Sequence, residues 1–407
     1  MKQRVDDLAL LGGSPAFERP LHVGRPNLGD RQRLLDRIND LLDRVWLSND
    51  GPYLAEFERR VADIVGVKHC VATCNGTVAL EILIRAVGLS GEVIVPSFTF
   101  VATAHALQWL GVRPVFADVD PRTHTLDPIA VERAISPRTT GIIGVHLWGQ
   151  ACDIEGLSAV ARRHDLTLLF DAAHAFGCSY RRQMVGNFGA AEVFSFHATK
   201  FCNAFEGGAV VTNDDTLAER VRLMRSFGFA DYDTVLDVGT NGKMSEAAAA
   251  MGITSLESID AFVSTNYRNY ARYRDALADL PGVRLLPYDE RDQHNYQYVV
   301  LEIEEAVAGV SRDQVQAVLW AENVFARRYF YPGCHHHEPY RSSLPQGAPP
   351  LPVTERLARE VLCLPTGTAI GAHEIDGICG ILRLVIAYGA EVATRLLSAT
   401  PARVTVR

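Results

Sequence analysis

The chain has 407 residues, 48% hydrophobic and 22% charged, long enough for two folded units and a large core. Its net charge of −8, from 40 basic and 48 acidic residues, argues against a nucleic-acid binder, which needs a basic face; a local cluster of donors must gather any anionic substrate. No apolar run approaches the ~18 residues of a membrane span, Met1-Lys2-Gln3-Arg4 leads to no signal-like run before Gly12-Gly13, and the eight cysteines form no C-x-x-C pair, which predicts a cytoplasmic protein with reduced thiols.

Cys74-Asn75-Gly76-Thr77 opens an apolar helix over 78–86, which Gly88 ends. Such a start presents free N–H groups and the positive end of the helix dipole, which suits a phosphate. Taken alone, the segment fits a plain N-cap on Asn75 or Thr77 better. From Glu92 to Thr212, buried strands are expected at 93–95, 115–117, 141–145, 166–170 and 193–196, with a helix at 154–164. Strands without clean alternation, separated by helices, predict an α/β unit around a mostly parallel sheet, with ligands beyond the carboxyl ends of the strands. Ser97, Asp171 and Ser195 fall at those ends. Of Phe98 and Phe100, which follow the first of these strands, one is placed to cover a flat ring; both also fit a core.

Asp171 closes the run Leu168-Leu169-Phe170, and Lys200 stands between Ser195-Phe196-His197 and Gly207-Gly208. A lysine that forms a Schiff base and a strand-end carboxylate are the two parts a pyridoxal phosphate (PLP) enzyme needs: one holds the cofactor aldehyde, the other keeps the ring nitrogen protonated. Ser195 adds a hydroxyl to the same phosphate, unless it faces the sheet. His174, three residues after Asp171, faces the same ligand or is a hydrogen-bonded core histidine.

The stretch 239–246, GTNGKMSE, fails the phosphate-loop rule because Met244 follows Lys243 and Asp237 takes the first glycine position. A long helix is expected over 259–280, ended by Pro281-Gly282, and an α+β pattern follows: strands at 283–287 and 296–303, helices at 312–322 and 354–362, and a loop with four prolines at 341–352. This divides the chain into a large unit, 1–260, and a small one, 261–407. Cys334-His335-His336-His337 invites a metal, but consecutive residues rarely face one ion and no spaced partner motif accompanies them, so no metal is expected. Tyr331 and His335 flank the turn at Pro332-Gly333 and are candidates for reaching substrate.

The segments PSFTFVATAHAL, GVHLWG, FDAAHAFG, GNFGAAEVFSFHATK, EGGAVVTND and GTNGKMSEAAAAMG resemble the DegT/DnrJ/StrS family of PLP-dependent sugar aminotransferases, nearly end to end from Leu11-Gly12-Gly13. LLGGSPAF, VGRPN, WLSNDGP and ARRYFYPGCHHHEPY are similar to its desosamine-pathway type, which aminates C4 of TDP-4-keto-6-deoxyglucose. The resemblance implies fold type I, with a mostly parallel seven-stranded sheet in the large domain and a smaller α+β C-terminal domain. It also implies PLP as cofactor, L-glutamate as amino donor and a homodimer with shared active sites. By the same resemblance Lys200 binds the cofactor and moves the proton, and Asp171 partners the ring nitrogen. His174 lies near the 3-hydroxyl and Phe100 stacks on the ring. Gly76, Thr77 and Ser195 hold the phosphate with Asn75 beside them, and Asn241 reaches it from the neighbouring subunit. Gly242-Lys243 departs from the aromatic and arginine of many relatives. Other readings are a 3-keto sugar or cyclitol aminotransferase, a plain amino-acid aminotransferase, and a regulatory protein that binds without turnover; the last is disfavoured because Lys200 and Asp171 are both present.

Overall fold

The computed structural model describes residues 2–343 and 349–398. A seven-stranded sheet runs in the order His69–Thr73, Gly208–Thr212, Ala191–Ser195, Thr167–Asp171, Thr139–Val145, Glu92–Pro96 and Arg113–Ala117. Gly208–Thr212 is antiparallel to both its neighbours, and every other pairing is parallel, so all the remaining strands end on one edge. Burial on both faces explains the unbroken apolar runs. Val71, Val193 and Val210 pack with the helices Gly76–Ala86 and Asp215–Arg225, whereas Cys70, Ala72, Phe194, Ala209 and Val211 pack with Pro52–Val65 and Glu246–Leu256. Helices begin where a side-chain oxygen meets their free N–H groups, from Asn75, Asp153, Asp214 and Ser245.

The long helix Ile259–Leu277 leads into an antiparallel sheet of Val283–Leu285, Val299–Ile303 and Val361–Leu364. The helix expected over 354–362 is instead Pro352–Glu360, and the chain turns to strand at Val361 to pair with Val299–Ile303. The proline-rich loop expected over 341–352 lies partly outside the described residues. The first residues do not pack as a division at 260 implies. Val5, Leu8 and Leu21 share a core with Tyr273, Leu301 and Leu382, and Leu21–His22 pairs in parallel with Val324–Phe325. A further cluster joins the two sheets: Phe98, Leu147 and Trp148 pack with Tyr298, Val300 and Phe330. Among the described residues no single helix is long and apolar enough to cross a membrane, and all eight cysteines are unpaired.

Candidate active site

The edge where the parallel strands end opens into a cavity of about 580 Å³. Lys200 and Asp171 line it, as do His174, Phe100 and Ser195, and Asn75, Gly76 and Thr77 form one corner. Tyr331 lines an adjoining recess that shares Phe100, Arg327 and Phe330 with the cavity. His335 lines neither; its ring is buried with Nδ1 2.6 Å from Ser97 Oγ, which places it away from any substrate in the cavity. Asn241 is exposed, outside its own chain's cavity, and its Oδ1 accepts from Lys243 Nζ at 2.8 Å.

Lys200 sits on a turn fixed by its own N–H, which donates to His197 O at 2.8 Å, and by Ala204 N–H to Phe196 O. The residue is partly open to the cavity, yet its amine is desolvated enough to bring its pKa down to about 8, against the opposing pull of Asp171. An amine so placed is neutral for a useful fraction of the time near neutral pH, as a nucleophile or base requires. Asp171 ends its strand with only 6% of its surface exposed. Its Oδ2 accepts from Thr103 Oγ1 at 2.8 Å and its Oδ1 from Ala173 N–H at 3.1 Å. Burial still raises its pKa, with those two donors, Lys200 and His146 pulling the other way. A carboxylate held this way is stabilised by a cation brought to it.

The phosphate corner is built from backbone. Gly76 and Thr77 are the first residues of their helix and have no intrahelical acceptor, while Asn75 Oδ1 takes Val78 N–H at 2.9 Å. Asn75 is thus the N-cap, and the two N–H groups ahead of Val78 are left to a ligand. Ser195 closes the corner: a Cβ on Gly76 would stand 3.2 Å from Ser195 Cβ. The strand Gly208–Thr212 starts against the same loop. A Cβ on Gly208 would lie 2.5 Å from the Asn75 carbonyl and 2.6 Å from Gly76 N, so only glycine fits there.

His174 is both a core residue and a cavity residue. It packs among Trp148, Tyr298 and Phe330, accepts Trp148 N–H on Nδ1 at 3.4 Å, and is held neutral by burial first and by Lys200 second. Its proton therefore sits on Nε2. Phe98 is fully buried against Trp148 and Phe330, whereas Phe100 presents its ring to the cavity. Four residues join the site that sequence reasoning missed. Thr103 lies one helical turn beyond Thr99 and anchors Asp171. Gln297 accepts Phe201 N–H through Oε1 and donates through Nε2 to His174 O, tying the lysine loop to His174. Asn27 donates to Phe201 O at 3.0 Å. Arg327 is exposed at the cavity mouth, its guanidinium 5.7 Å from the Tyr329 ring centroid, and pairs with no carboxylate among the described residues. Asn27, Thr103 and Arg327 lay inside the quoted segments VGRPN, PSFTFVATAHAL and ARRYFYPGCHHHEPY without being singled out there, and Gln297 lay in none of them.

A model of the DegT/DnrJ/EryC1/StrS aminotransferase family matches residues 29–383. The chain belongs to that family. A dTDP-4-amino-4,6-dideoxy-D-glucose transaminase of Shigella dysenteriae is 34% identical to it over 367 residues, 90% of this chain and 99% of that protein. A GDP-perosamine synthase of Caulobacter vibrioides is 35% identical over 371 residues, 90% of this chain and 98% of that one. The crystal structure of DesI in the presence of its TDP-sugar product has a TM-score of 0.93 and 54% identity, covering 97% of this chain and 100% of that chain. As a family member the chain is an aminotransferase, and its mostly parallel seven-stranded sheet is the fold-type-I architecture expected from the resemblance.

Proposed function

We propose that this aminotransferase uses PLP to convert a nucleotide-linked 4-keto-6-deoxyhexose, TDP-4-keto-6-deoxy-D-glucose, into the 4-amino-4,6-dideoxy sugar, with L-glutamate as donor. One observation carries the reading: a desolvated lysine amine and a buried carboxylate converge on a cavity whose corner is a capped helix N-terminus. The donor set fits PLP, since the Gly76 and Thr77 N–H groups and Ser195 Oγ suit its phosphate, Asp171 its ring nitrogen, and Lys200 its aldehyde. When bound, the cofactor supplies an aldehyde for amine exchange and a ring that accepts electrons. The choice of sugar is supported by the TDP-sugar in the DesI structure and by the Shigella transaminase.

Lys200 would hold the aldehyde of PLP and, when not so engaged, carry a proton, its lowered pKa suiting an amine that both takes and returns one. Asp171, braced by Thr103 and Ala173, favours a protonated ring nitrogen through opposite charge. Neutral His174 would offer Nε2–H to a ring oxygen of PLP, and Phe100 would stack on its ring. Arg327, which has no carboxylate partner among the described residues, is a cation at the mouth for a carboxylate or diphosphate. Glutamate gives up its amino group and leaves as 2-oxoglutarate; the C4 ketone takes that group in the second half. We place the enzyme in the cytoplasm as a homodimer in which Asn241 reaches the partner's cavity.

The test is the visible absorbance of the purified protein before and after L-glutamate, then after the 4-keto sugar. The cofactor band should bleach with glutamate and return with the sugar. A band that glutamate bleaches and only a 3-keto sugar or a cyclitol ketone restores would replace the acceptor and keep the chemistry. No band after adding PLP would sink the Lys200 assignment.

A further inference from the structure

We propose that His335, His336 and Glu355 form a site for one divalent metal ion of the zinc class, separate from the cavity that holds Lys200. Their donor atoms all lie within 4.8 Å of one another. Successive side chains of an extended strand diverge, which is why a histidine run seldom serves one ion. Here Cys334–His336 is a single turn of 3-10 helix, which sets the two rings side by side with centroids 3.9 Å apart. Gly333 enters that turn at φ +94, a conformation side chains resist, and a Cβ there would stand 3.1 Å from the His335 ring. The spaced partner that no sequence motif supplies comes from the helix Pro352–Glu360, whose first turn carries Glu355. His337, third of the run, turns instead to the recess beside Tyr331.

His335 points to a ligand independently of this clustering. It is 6% exposed, and its buried Nε2 has no hydrogen-bond partner. Its other nitrogen is accounted for by Ser97 Oγ, which also accepts the His335 backbone N–H at 3.1 Å. With the ring proton on Nδ1, donated to Ser97, Nε2 presents a lone pair. With the proton on Nε2, a buried donor is stranded at a cost of about 1–3 kcal/mol. A cation facing Nε2 satisfies the first arrangement, in the way metal-bound histidines are oriented by the bond on their far nitrogen. Nε2 stands 4.0 Å from Glu355 Oε1. Ligands on a tetrahedral zinc are roughly 3.3 Å apart, so the flexible Glu355 side chain has to close only a small gap. Two imidazoles and one carboxylate favour zinc over calcium or magnesium, and three protein donors leave a position for water, so the ion exchanges. Bound there, it ties the turn that follows Tyr329 and Phe330 to the helix Pro352–Glu360.

The test uses untagged holoenzyme dialysed against zinc chloride, with metal counted against protein. Wild type should hold about one zinc per chain, and H336Q and E355Q should each weaken binding at least ~10-fold, since even a partner behind a metal ligand is worth about that much. Both substitutions are at positions open to solvent, so folding, read by circular dichroism, should be unchanged. Wild type that retains no zinc overturns the site. Zinc held equally by the variants also overturns it.

Discussion

Lys200 and Asp171 are each dissatisfied by the burial that defines them: the amine is pushed toward neutrality and so is the carboxylate. For the lysine the consequence is measurable in protein stripped of cofactor. Its folded pKa, about 8, is below the 10.5 of the free side chain, so it costs stability wherever it is charged. The cost is full below about pH 8, fades as the pH climbs toward 10.5, and vanishes above. Lys200→Met should therefore stabilise the cofactor-free protein by about 1–3 kcal/mol at neutral pH and by almost nothing at high pH. Urea unfolding of both proteins across that range checks it, and a gain that ignores pH would mean the amine is solvated. Both residues stand out in the sequence because apolar strands frame them. Thr103 does not, because a threonine in an apolar helix looks like any other until the fold sets it 2.8 Å from Asp171.

Elements whose pattern came from burial were legible, while those fixed by a distant partner were not. Apolar runs at 93–95 and 141–145 announced central strands because helices cover both faces. His69–Thr73 and Gly208–Thr212 did not stand out; their identity rests on pairing with each other and with Ala191–Ser195. The apolar residues Leu357, Ala358, Val361 and Leu362 fit a helical period, but a free strand edge at Val299–Ile303 takes the last two. Between elements, Asn27 bears more than its position suggests. It is 2% exposed, its Nδ2 donates to Phe201 O, its Oδ1 accepts from Thr368 N and Oγ1, and its own carbonyl receives Asn203 Nδ2. Asn27→Leu preserves size and removes all the side-chain partners, leaving buried groups unpaired. We expect a loss of about 2–4 kcal/mol and weaker cofactor retention, read by thermal unfolding with and without PLP. An unchanged midpoint would show the loop to be held by other contacts.

For the whole molecule, the flank that carries Asn241 also exposes Phe227, Phe229, Tyr232, Leu236 and Val238, an apolar patch that suits a second copy of the chain. If Asn241 serves the partner's cavity, chains carrying Lys200→Ala and Asn241→Ala should each be poorly active alone. Mixed and reassembled, they should recover about a quarter of wild-type activity, since half the dimers are hybrids with one intact site of two. No recovery in verified hybrids would return Asn241 to a role within its own chain. The packing of the first residues against the small unit has a consequence in time. Ribosomes deliver the chain from Met1 onward, yet Thr368 lies 341 residues after Asn27. At ordinary elongation rates that is a wait of roughly 20–70 s. Throughout it, the clasp that steadies Phe201 beside Lys200 has only one of its sides. We therefore expect firm capture of PLP to come late in biogenesis, after translation has passed Thr368.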